Sequence, residues 1–221
     1  MQLAHECFRR ATFDDFERQH TLLLEEFHPD VISGRLDMDA ARRERFRRLF
    51  ACFGSAAPDS LCAEAAGQYR RDYVDARRAV AGAETLLAAV RQHASIAIVS
   101  NNMLQEQEDK LEYCRLAPYV DALVVSERAG CSKPDPEIFR ITLDTLGVDA
   151  GEAVMVGDSW TADIDGARAA AIRPVWFNPL RVPSPDPGLD VAELYSLEPT
   201  AAALAVIFRG ERSSADQIPS A

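Results

Sequence analysis

No stretch of 18 apolar residues occurs anywhere in the 221-residue chain, so no transmembrane helix is expected. The opening MQLAHECFRRATFDDF has no basic segment running into an apolar one, so no secretory leader is expected, and a cytoplasmic setting follows. Positive charge is scarce. Lys and Arg total 24 against 35 Asp and Glu, a net charge of −11, which excludes a general nucleic-acid binder, since phosphate backbones need a basic surface. A small phosphorylated ligand needs only one local cationic pocket and stays open. Cysteines are few and odd in number (Cys7, Cys52, Cys62, Cys114, Cys131) and none stands at CxxC spacing. That excludes a disulfide framework and a zinc site, and leaves mostly buried thiols. The four histidines (His5, His20, His28, His93) are scattered, with no metal or triad spacing.

What is present changes character near residue 80. Before it, residues 13–32, 37–53 and 59–78 carry apolar stripes at helical spacing: Phe16, Leu23, Leu24 and Phe27; then Phe46, Leu49, Phe50 and Phe53; then Leu61, Ala65, Tyr69 and Tyr73. Such stripes predict a small helical bundle over residues 1–80. Asp37 or Asp39 is placed to cap the second helix and Gly54 to stop it. Arg42, Arg43, Arg45, Arg47 and Arg48 on that helix read as a solvated face.

Beyond residue 80 helices and strands alternate. The short β-branched runs IAIV (96–99), ALVV (122–125), AVMV (153–156) and PVWF (174–177) read as buried parallel strands. Helices are expected at 83–93, near 103–113, from Asp135-Pro136-Glu137 to Gly147, from about 162 to 171 with Thr161 as its cap, and near 198–208. Residues 179–189 read as a Pro-rich loop and 210–221 as a disordered tail. The expected fold is α/β: a Rossmann-like parallel sheet core over 81–209 with an N-terminal helical bundle.

Ligands of open parallel sheets bind beyond the carboxyl ends of the strands. Three features fall there. Ser100 and Asn101 follow the first strand and offer a hydroxyl and backbone N–H groups to an anion, or simply cap a helix. Lys133 lies in CSKPDPEIF, where Pro134 keeps it out of the next helix. Gly157 turns the chain off the AVMV strand into Asp158 and Asp163, hard oxygen donors of the kind Mg²⁺ prefers. Asp163 alone would read as an acid favoured by a helix dipole, as would Asp165, and Trp160 reads as core packing.

The order of these features resembles the haloacid dehalogenase-like superfamily. Ser100 is similar to its second motif, Lys133 to its third, and Asp158 with Asp163 to its fourth. AVAGAETLLAAVR, YCRLAPYVDALVVSERAG and KPDPEIFRITLDTLGV extend the resemblance over residues 13–209. The N-terminal helices resemble the cap that many members carry. The resemblance implies a Mg²⁺-dependent phosphomonoester hydrolase acting on a small phosphorylated metabolite such as a nucleotide or sugar phosphate. Asp158 and Asp163 would hold the metal, Ser100, Asn101 and Lys133 the phosphate, and Lys133 would neutralise its charge. It also implies a first strand ending in DxDx[TV], whose first Asp attacks phosphorus and whose second is the general acid.

That motif is missing here. Phe13-Asp14-Asp15-Phe16 has adjacent acids, and no apolar strand precedes it. The first core strand, and with it the nucleophile and general acid, is therefore expected to be absent, as in a truncated enzyme inactive alone. The family's sheet would lose the strand between those ending at Ser100 and Asp158. Either the sheet opens there, exposing edges that promote self-association, or IAIV and AVMV close up and pair. A non-catalytic phosphate- and metal-binding protein is the alternative. The metal-free 2-haloacid dehalogenase branch fits the paired acids less well.

Overall fold

A computed structural model describes residues 12–208. The tail over 210–221, Cys7 and His5 lie outside them. The chain divides into two compact units, Met1–Arg77 and Arg78–Ala221.

The first unit contains α1 (Phe13–Ile32), α2 (Met38–Cys52) and α3 (Asp59–Asp75). Thr12 caps α1 in a capping box with Asp15. Asp37, not Asp39, caps α2 by accepting from the N–H groups of Asp39 and Ala40. Gly54 ends that helix region at φ +79°, where a side chain would be strained. Leu23, Phe27 and Val31 of α1, Phe46, Leu49 and Phe50 of α2, and Cys62 and Ala66 of α3 are buried. Each large side chain removed from water in this way contributes about 1.5–3 kcal/mol. Cys62 is the one buried cysteine among the described residues; Cys52 is exposed and Cys114 and Cys131 are half-buried, fewer buried thiols than composition suggests.

The second unit alternates as expected: α4 (Ala83–Val90), β1 (Ala97–Ser100), α5 (Leu104–Tyr113), β2 (Ala122–Val125), α6 (Ser126–Ala129), α7 (Pro136–Leu146), β3 (Val154–Gly157), α8 (Gly166–Ala169), β4 (Arg173–Phe177), β5 (Ala192–Leu194) and α9 (Thr200–Ile207). Asp135 caps α7 and Gly147 ends it at φ +68°. The strand β5 was not legible as one.

The strands form two separate parallel sheets, β1-β2 and β3-β4-β5. Leu86 of α4, Val175 of β4, Leu194 of β5 and Ile207 of α9 form one apolar cluster, with Val154 packed against it. Val124 of β2, Ile138 and Phe139 of α7, and Ala167 of α8 form the other, joined by Val99 of β1 and Met155 of β3. Neighbouring residues Val154 and Met155 thus point to opposite layers, the period-two signature of a strand covered on both sides.

Among the described residues β1 and β3 do not pair, so the closed-up sheet is not what forms. Val99 and Met155 nonetheless both rest on the layer built by Ile138 and Phe139. Each strand is bonded on one side only. No residue of β1 is buried, and Val156 of β3 is 37% exposed, whereas Val125 and Val175 in β2 and β4 are sealed.

Candidate functional site

The carboxyl ends of β1 and β3 are tied together by side chains. Asn101, just past β1, grips the backbone of Lys133 from both sides. Its Nδ2 donates to the Lys133 carbonyl at 2.8 Å, and its Oδ1 accepts from the Lys133 N–H at 2.7 Å. The Lys133–Pro134 bond is cis. Held by Asn101, Lys133 sends its Nζ to Asp163 Oδ1 at 2.6 Å. The other carboxylate oxygen of Asp163 accepts from the Ser159 N–H at 2.9 Å. Lys133 and Asp163 form a largely buried ion pair, with side chains 12% and 5% exposed. A buried pair is stable when such extra hydrogen bonds satisfy its remaining lone pairs.

Asp163 lies in a π-helical turn, Trp160–Asp165, rather than in the first turn of an α-helix. Ser159, not Thr161, caps it by accepting from the Ala162 N–H. Wide turns of this kind recur at functional sites because they re-aim single side chains. Gly157 is needed here for space. A Cβ on it would stand 2.3 Å from Asp163 Oδ2, and its φ is not in the left-handed region. Its role is close approach, where sequence reading assigned it a sharp turn.

Asp158 is exposed at the end of β3. Its carbonyl accepts from Trp176 Nε1 at 3.1 Å, which fixes the backbone and leaves the carboxylate to solvent. Trp160 is half-buried and packs edge-on against Trp176, ring centres 4.9 Å apart, in keeping with a packing role. Ser100 closes β1, paired in register with Val125.

The geometry brings Asn101, Lys133 and Asp163 into one connected network. Within it Asn101 holds Lys133 with one N–H and one lone pair of its amide, and its second N–H stays available to a ligand. Ser159 and Trp176 belong to the site and were missed. Ser159 had a signal, a cap residue three before Ala162. Trp176 had none, because its partner lies 18 positions away.

Magnesium takes one or two carboxylates plus waters and phosphate oxygens. Asp158 and Asp163 are the right donor type and number for that, although among the described residues no cluster of three or more potential ligands exists. No helix of the described residues is long and apolar enough to cross a membrane.

Comparison with known proteins places the chain in a family. A haloacid dehalogenase-like hydrolase pattern matches residues 3–171. The chain is 38% identical over 116 residues to a phosphoserine phosphatase of Thermus thermophilus, covering 51% of this chain and 47% of that one. It is 36% identical over 121 residues to the pyrimidine 5'-nucleotidase YjjG of Escherichia coli, covering 53% and 54%. The chain thus spans about half the length of these curated relatives. The solved structure of the HAD-hydrolase YfnB of Bacillus subtilis, bound to magnesium, superposes with a TM-score of 0.68 at 24% identity, covering 92% of this chain and 89% of that one, a likeness of fold. With the pattern matched from residue 3 to residue 171, the chain belongs to the haloacid dehalogenase-like hydrolases.

Proposed function

We propose that this chain carries the phosphate- and metal-binding half of a Mg²⁺-dependent phosphomonoester hydrolase for a small phosphorylated metabolite. The observation that carries the reading is the Asn101–Lys133–Asp163 network at the carboxyl ends of β1 and β3. Phosphatases and nucleotidases among the relatives support the reaction class.

In this reading Asp158 and Asp163 hold Mg²⁺, which when bound neutralises phosphoryl charge. Lys133 presents a fixed ammonium to the same oxygens, and Asp163 keeps it extended. Asn101 prevents the Lys133 backbone from drifting, and Ser100 offers its hydroxyl to the phosphate. Covalent catalysis also needs a nucleophile. Among the described residues no acid lies on a strand between β1 and β3, and Asp14 and Asp15 sit in α1 instead. We therefore assign the chain alone a binding competence without turnover. The same gap favours the second reading, a non-catalytic phosphate and metal binder. Free thiols at Cys52, Cys62, Cys114 and Cys131 are in keeping with a cytoplasmic setting.

Titration calorimetry with Mg²⁺ and inorganic phosphate tests the binding half. Mg²⁺-dependent phosphate binding that Asp158→Asn weakens is expected. Phosphate binding that ignores both Mg²⁺ and Asp158→Asn contradicts the assignment.

A further inference from the structure

Of the five arginines on α2, three are ion-paired: the half-buried Arg42 with Asp39, and the exposed Arg47 with Glu44 and Asp59 and Arg48 with Glu26 and Glu44. Arg43 is exposed. Arg45 departs from the solvated face that the sequence suggests. It is 6% exposed, and its Nε is buried without a hydrogen-bond partner. Its guanidinium stands 5.7 Å from the centre of the Tyr69 ring. A cation–π contact of that length does not replace the hydrogen bonds a guanidinium loses on leaving water.

A second polar atom in the same place is also unsatisfied. His20 Nε2, on α1, is buried with no partner. Three rings surround that imidazole: Phe16 at 6.1 Å, Phe46 at 6.3 Å and Tyr69 at 4.9 Å between centres. Tyr73 stacks on Tyr69 at 6.4 Å and is itself 40% exposed, so the row of rings runs out to solvent. Burial and the Arg45 charge hold His20 down at about 4, so it is neutral at pH 7 and can pair by hydrogen bond without repelling Arg45.

We propose that the helical unit binds an oxyanion carried on a flat or apolar body. Arg45 and His20 take the carboxylate or phosphate oxygens, and Phe16, Phe46, Tyr69 and Tyr73 take the body. An anion supplies the acceptor that the Arg45 Nε lacks, and a guanidinium can take it by a bidentate fork. The site stands apart from the hydrolase reading, because binding here needs neither metal nor turnover.

The test is NMR titration of the full chain, read at the His20 imidazole and Tyr69 ring signals. The probes are benzoate, inorganic phosphate, and benzamide as the uncharged counterpart of benzoate. Saturable shifts with benzoate, at least about tenfold weaker with benzamide, are expected. Shifts with inorganic phosphate and not benzoate would overturn the role given to the rings and leave a bare anion site. Arg45→Gln should lose binding by about tenfold or more, and Arg45→Lys should retain part of it. Should Arg45→Gln fail to fold, the benzoate–benzamide comparison on the native protein decides. Signals unmoved by both anions, or equal response to benzoate and benzamide, would overturn the proposal and leave Arg45 a cation–π partner of Tyr69 alone.

Discussion

Asp163 is 4% exposed and depends on two donors, the Lys133 ammonium and the Ser159 N–H. Removing one partner of a buried pair strands the other charge. Lys133→Met should therefore cost about 3–5 kcal/mol in urea unfolding, and adding Asp163→Asn should recover part of that loss. An additive double mutant would contradict the coupling. His20 gives a pH signature. Its folded pKa is about 4 against an ordinary 6.5, so the unfolded chain binds the extra proton first as pH falls. Stability from this group is complete above pH 6.5 and declines as pH drops toward 4. His28, also pushed down by burial, adds in the same direction. The melting temperature of the native protein should fall between pH 7 and pH 5 more steeply than that of His20→Asn. Parallel profiles would remove His20 from the account. At this scale the Gly-Asp-x4-Asp spacing and Lys133 were readable in sequence. The Asn101 clamp on Lys133 was not, because it joins residues 32 positions apart. Arg45 was misread because helical spacing alone could not tell which arginine of a basic run turns inward.

Helix ends and close packing set the next level. Gly166 opens α8, and a Cβ there would lie 2.7 Å from Phe139 Cε2 and 3.0 Å from the Pro134 Cα. Phe139 is fully buried and Pro134 is backbone, so neither can yield. Gly166→Ala should destabilise the second unit by about 1–3 kcal/mol in chemical unfolding, as overpacking does. An unchanged midpoint would mean that the loop moves freely. Caps and stops were well marked in sequence: Asp37, the Asp135-Pro136-Glu137 start and Gly147 all act where their chemistry places them. Strands were found by their β-branched runs, ALVV with its bounds intact and the others shifted by a residue at one or both ends, as with 97–100 for IAIV. The three residues of β5, Ala-Glu-Leu, carry no such run and follow a proline-rich loop. The π-turn holding Asp163 was hidden for a related reason: Ala, Ile and Asp do not announce a wide turn.

Among the described residues of the second unit the parallel sheet is interrupted between β1 and β3. Two one-sided strand edges of apolar sequence remain on a common layer. Edges of this kind template association. Sedimentation velocity should show concentration-dependent self-association, and a monodisperse monomer across micromolar to high concentration would count against open edges. The interruption was foreseeable, since the missing DxDx[TV] run and the family order of strands name the place. That β1 and β3 stay apart rather than pair was not legible, because both apolar runs suit either arrangement. In the proposed reading the Asn101–Lys133–Asp163 network serves phosphate and metal, while among the described residues no acid lies on a strand between β1 and β3. Release of phosphate from an aryl phosphate by this chain, with and without Mg²⁺, tests that reading most directly. No turnover above background is predicted under either condition, and clear Mg²⁺-dependent release would contradict it.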